Sequence, residues 1–178
     1  MSSKWRRIIV RKIASASAIL ICVLVVGCIP MVGSYYSPSG ASGVPVSEYC
    51  HGDIGAKNSM KMEFGRTILI LSADQIDNTK IYINLQIIGD ANSVGGFDPD
   101  KISVYDEDNK KVVLKKESIK QTYSAVQTNY SAYSFNINAA PKNFLITFPT
   151  ITYDGKQYDD VTVRFTKKHG VWLGTINC

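Results

Sequence analysis

Lys80-Ile-Tyr-Ile-Asn-Leu-Gln-Ile-Ile88 is the stretch that decides the fold. Ile81, Ile83, Leu85 and Ile87 recur at every second position, with Tyr82, Asn84 and Gln86 between them. Successive side chains of a β-strand point to opposite faces, so a period of two predicts a strand with one buried side.

The pattern continues in both directions. Upstream, Arg66-Thr-Ile-Leu-Ile-Leu-Ser72 is a short aliphatic run, and residues 73–79 supply turn formers before Lys80. Downstream, residues 89–99 read as a loop containing Gly95-Gly96 and Asp98-Pro99. Ile102 and Val104 then start a strand, residues 106–110 form a charged turn, and residues 112–114 return as a hairpin. Residues 115–127 admit a helical turn. Tyr133, Phe135 and Ile137 alternate with Ser134, Asn136 and Asn138 and predict another strand. Phe144, Ile146 and Phe148 line the next, which stops at Pro149. Asp154-Gly155, between Ile151, Tyr153 and Tyr158, suits a tight primed turn because glycine accepts positive φ at little steric cost. Val161, Val163 and Phe165 form a further strand, residues 167–170 a turn, and residues 171–177 the last strand.

Seven to nine short strands are thus predicted, with closely spaced turn signals and no amphipathic helix. They indicate an all-β, immunoglobulin-like or transthyretin-like two-sheet sandwich over residues 49–178. The Cys-Trp-Cys signature of antibody domains is absent, because Trp172 lies close to the C-terminus.

The N-terminus has a different character. Lys4, Arg6, Arg7, Arg11 and Lys12 precede an apolar segment over residues 13–26, and Gly27-Cys28 follows. A basic region, an apolar core and a small residue at a junction make the three-part layout of an export signal. The junction Val25-Val26-Gly27-Cys28 resembles the lipobox of bacterial lipoprotein precursors. The resemblance implies that residues 1–27 are a signal peptide and that Cys28 is lipidated and becomes the first residue of the mature chain. It also implies a lipid bilayer as partner. Ile29, where inner-membrane lipoproteins of enterobacteria carry Asp, implies outer-membrane sorting toward the periplasm. The competing reading is an uncleaved span over residues 13–33, about long enough for a 30 Å hydrocarbon core. Gly, Ser and Pro dominate the next residues, so residues 28–48 read as a flexible tether.

Charge follows the same division. The chain has 20 Lys and Arg against 15 Asp and Glu, but five of the basic residues and none of the acidic ones lie in residues 1–27. From Cys28 onward the net charge is zero. The basic balance belongs to the export signal, and no nucleic acid is expected as partner, because that needs Lys and Arg in excess on the binding domain.

Cys50 and Cys178 are the two cysteines left after Cys22 departs with the signal and Cys28 takes its lipid. An oxidising compartment favours a disulfide between them, closing a loop of more than 100 residues. Two free thiols, or a zinc site built from Cys50, His51, His169 and Cys178, are the other readings. His51 and His169 are the only histidines, and no Gly-x-Ser-x-Gly elbow is present. Asp98, Asp100, Asp106, Glu107, Asp108, Asp159 and Asp160 read as solvated turns without the spaced glycine loop of a calcium site. Tyr123, Tyr130, Tyr133, Tyr153 and Tyr158 would make a binding patch if they shared a face.

The expectation is a membrane-tethered envelope lipoprotein with a non-enzymatic sandwich and no cofactor. It would bind an envelope protein or cell-wall component as an accessory subunit. The alternatives are a metal-dependent binder or enzyme on the Cys and His set, and a sandwich with a small-ligand cavity.

Overall fold

The computed structural model describes residues 28–47, 57–77, 79–90, 92, 94–125 and 128–175. In chain order the strands are β1 (Cys28–Ser39), β2 (Val44–Val46), β3 (Ser59–Phe64), β4 (Thr67–Asp77), β5 (Lys80–Asp90) and β6 (Gly95–Gly96). Then follow β7 (Ser103–Asp106), β8 (Lys111–Val112), β9 (Leu114–Ala125), β10 (Thr128–Ile137), β11 (Asn143–Thr147), β12 (Ile151–Tyr153), β13 (Lys156–Tyr158) and β14 (Thr162–Thr175).

The strands form two main sheets and a small third one. One sheet runs β1-β14-β11-β7-β8, the other β2-β3-β4-β5-β10-β9, and the small sheet β13-β12-β6. All the pairings are antiparallel. The fold is an all-β sandwich, as the alternation predicted.

The core lies between the two main sheets. β5 buries Ile81, Ile83 and Leu85, and its neighbours bring Leu69, Leu71, Phe135 and Ile137 to the same face by register. The facing sheet contributes Tyr36, Val104, Phe144, Ile146, Val163 and Phe165. Phe144 stacks on Phe165 at 5.2 Å, and Tyr36 meets Phe144 edge to face at 5.1 Å.

Four expectations are corrected. Residues 28–48 do not form a tether along their whole length, because β1 pairs with β14 from Cys28 to Ser39 and Tyr36 is fully buried. The Gly, Ser and Pro content is compatible with an edge strand, where Pro30 and Pro38 need no ladder donor on the open side. Second, residues 167–170 are no turn: they lie inside β14, held by β1 residues 33–36. Third, β4 continues through Asp77 with a bulge at its end, so most of residues 73–79 are strand. Residues 115–125 are likewise strand rather than a helical turn.

Two turns form as expected. Asp154 and Gly155 have φ of 51° and 75°, the positive pair that a primed hairpin turn requires. Asp106 Oδ1 accepts from the amides of Asp108 and Lys110 at 3.0 and 2.9 Å, which closes the β7–β8 hairpin. Among the described residues, no helix is long and apolar enough to cross a membrane.

Candidate functional site

The inner face of the β4, β5 and β10 sheet changes character toward one end of the sandwich. Register sets Ala73, Ile83 and Phe135 in one row across the three strands, and Leu71, Leu85 and Tyr133 in the next. Leu69, Ile87 and Ser131 follow, and Thr67, Gly89 and Asn129 form the last row. Along β10 the inward positions therefore run from Ile137 and Phe135 to Tyr133, Ser131 and Asn129, from dry core to polar mouth. A cleft of about 260 Å³ opens there.

The small sheet forms the opposite wall with Gly95, Gly96, Phe97 and Tyr153. Gly95 is required by close approach: its φ is 145°, and a Cβ on it would lie 2.0 Å from the carbonyl oxygen of Thr152. A Cβ on Gly96 would meet nothing within 4 Å. Phe97 packs edge to face on Phe148 at 5.5 Å. Burial pushes the Tyr153 hydroxyl up to about 12, with Tyr133 adding to the shift.

An ionic clamp fastens this wall to the end of the large sheet. Arg66, in the turn between β3 and β4, donates from Nε and Nη2 to the two carboxylate oxygens of Asp154, each at 3.3 Å. Its Nη2 also reaches the Asn92 carbonyl at 3.1 Å. Asp154 accepts from the Val94 amide at 3.2 Å, and its own amide donates to the Val94 carbonyl at 2.8 Å. The Arg66 hydrogen bond and then that of Val94 hold the Asp154 carboxyl below its ordinary range. Asp90, which also lines the cleft, accepts from the Asn92 amide at 2.7 Å.

The cleft thus combines rings from Tyr133, Tyr153 and Phe97 with the Asp90 carboxylate, the Asn129 amide and the Ser131 hydroxyl. Such a set offers ring faces for packing and polar groups for hydrogen bonding. Sequence reasoning singled out Tyr133 and Tyr153 but missed Asp90, Asn129 and Ser131. Extending the alternation of β10 two steps upstream would have found the last two.

The residues expected to carry function are dispersed. Cys28 is the first residue of β1, paired in register with Thr175. Cys50, His51 and Cys178 lie outside the described residues, and so does the disulfide expected between the two cysteines. His169 is exposed in β14, with Nδ1 2.9 Å from the Ser34 hydroxyl. Among the described residues no three His, Cys, Asp or Glu are grouped to hold a metal ion. Asp98 caps a 3-10 turn at Pro99–Lys101. Asp159 accepts from Thr150 and Gln157 at 2.7 and 2.8 Å, which lowers its carboxyl. The Tyr123 side chain lies outside those described, and the other four tyrosines do not share one face. Tyr133 and Tyr153 line the cleft, Tyr130 has the opposite parity to Tyr133 on β10, and Tyr158 packs on Phe64 at 4.9 Å.

No protein-family model matches this chain, and no curated protein gives a significant match to it.

Proposed function

We propose that the chain is a lipoprotein of the bacterial envelope, lipidated on Cys28, whose sandwich is a non-enzymatic binding or accessory subunit of an envelope assembly. The carrying observation is that residues 28–33 lie in β1, paired with residues 170–175 of β14. If residues 28–33 belong to a strand, a membrane span over residues 13–33 is left with residues 13–27. At 1.5 Å per residue these reach roughly 22 Å as a helix, against the 30 Å of a hydrocarbon core. The shortfall supports a cleaved signal over a retained span. The outer membrane, facing the periplasm, is the site that Ile29 favours.

The cleft favours a second reading within the same role, in which the bound entity is a small ligand or one ring of a larger envelope polymer. Its lining mixes aromatic rings with polar groups, which suits a ligand held by both packing and hydrogen bonds.

The intact mass of the membrane-extracted protein tests the anchor. Residues 28–178 plus lipid is the expected result, and a full-length unlipidated mass overturns it. A photo-reactive residue in place of Asn129 tests the role: it should capture an envelope protein or cell-wall fragment in intact cells, whereas the same group in place of Lys115 should not. Equal capture from both positions removes the cleft from the reading.

A further inference from the structure

The two main sheets turn different outer faces to solvent. On β14 the buried Val163 and Phe165 point inward, so Thr162, Arg164, Thr166 and Lys168 point outward. Directly paired residues share a face, and register carries the row of Arg164 through Leu145 and Tyr105 to Lys111. Arg164, Lys168 and Lys111 are all exposed.

This face collects cations without acids. None of the residues that register places on it, from β1 to β8, is Asp or Glu. Of the turn acids beside Lys111, Asp106 has the opposite parity and its carboxylate holds the hairpin amides. Asp108 pairs with Lys110, and Glu107 acts electrostatically on Tyr36, a core residue. Among the described residues Lys111, Arg164 and Lys168 have no ion pair. On the outer face of the other sheet, by contrast, Lys61 lies 2.8 Å from Glu63.

Neutral hydrogen-bonding groups fill the space between the cations. Ser103, Thr147 and Thr162 form one row across β7, β11 and β14, and Ser37, Thr166 and Asn143 form another. Three strand spacings separate Lys111 from Arg164, and four residues separate Arg164 from Lys168, about 14 Å in each direction. Cations so spaced cannot close together on one compact anion. They suit an extended polymer that brings its own charges at intervals, and the rows of hydroxyl and amide groups suit a polymer with hydroxyls of its own. A lipid surface is met by clusters of about 4–8 Lys and Arg, and nucleic acid by a basic domain. Three spaced cations on a chain of zero net charge from Cys28 onward fit neither.

We propose that the outer face of the β1-β14-β11-β7-β8 sheet binds an acidic polysaccharide. Lys111, Arg164 and Lys168 meet its charges, and the hydroxyl rows meet its sugars. The face shares no residue with the cleft, and it binds whether or not Cys28 carries lipid.

The full-length protein in neutral detergent is titrated with polygalacturonate, poly-L-glutamate and neutral dextran. Polygalacturonate should bind, more weakly as salt rises, and dextran should not. R164E/K168E should weaken polygalacturonate roughly tenfold with an unchanged urea midpoint, since both side chains are exposed. K57E/K156E, the same charge change at two exposed lysines off this face, should leave binding as it was. T147V/T162V should weaken polygalacturonate about fivefold, the worth of a hydrogen bond, and leave polyglutamate unchanged. Equal weakening by the two charge-reversal pairs overturns the face, as does a failure of polygalacturonate to bind. Dextran bound as well as polygalacturonate overturns the need for charge. If T147V/T162V changes neither polymer, or both alike, the hydroxyl row takes no part and the sugar is overturned. Phosphatidylglycerol added to the micelles should displace polygalacturonate only at higher charge concentration, and displacement at lower concentration overturns the polymer in favour of a bilayer surface.

Discussion

The guanidinium of Arg66 and the carboxylate of Asp154 meet through two hydrogen bonds of 3.3 Å across 88 residues of sequence. One group sits in the turn after β3 and the other in the hairpin of the small sheet, so the pair joins two walls of the cleft. R66A should loosen the small sheet while leaving the main core folded. Hydrogen exchange checks this: the amides of Val94 and Asp154 should exchange faster, and those of β5 should not change.

The same pair sets an acid dependence. Asp154 titrates below its ordinary 3.8 in the folded chain, so its contribution is complete above the unfolded value and is lost as pH falls through the folded one. Protection of the Val94 amide should therefore hold at pH 5 and decline below about 4, the usual Asp range. In D154N the decline should be absent, because no carboxylate remains to titrate.

Tyr36 tests whether β1 belongs to the domain. It is fully buried, and its hydroxyl donates to the Pro141 carbonyl at 2.7 Å. Y36F should cost about 1 kcal/mol, the usual net worth of one hydrogen bond. Y36A should cost about 3–5 kcal/mol through loss of a buried ring. Urea unfolding of the two variants measures both, and a Y36A variant as stable as the parent would return β1 to a tether.

Burial also pushes the Tyr36 and Tyr153 hydroxyls up to about 12, with Glu107 adding to the first and Tyr133 to the second. Because the folded values lie above the unfolded 10, the stability linked to them is intact below pH 10 and is lost as pH rises toward 12. A tyrosinate absorbance titration should show a late-titrating component, and Y36F should reduce it.

Gly95→Ala should break the contact between β6 and β12. The new Cβ meets backbone, which cannot rotate aside, and the positive φ adds strain of about 1–3 kcal/mol. The expected result is a lower unfolding midpoint with opening of the cleft wall, visible as faster exchange at Asp154.

Much of the fold was legible locally. The alternation of β5 and β10 assigned the inner face of one sheet, and Asp154-Gly155 declared its turn, because each depends on neighbours along the chain. The cleft was legible in part: Tyr133 and Tyr153 stood out as half-polar rings, whereas Asp90 looked like any loop acid. It became a lining residue when β10 paired beside β5 and the small sheet closed over the end.

The amino-acid sequence by itself determined the β class, the inward faces of the central strands and the export and lipidation resemblance ending at Cys28, since periodicity and short motifs are local properties. Tertiary structure decided that residues 28–39 are a strand, that residues 167–170 do not turn, and that Arg66 faces Asp154. Each of these depends on a partner more than 80 residues away. Glycine, serine and proline leave a segment without a preference of its own, so the strand beside it settles what it becomes.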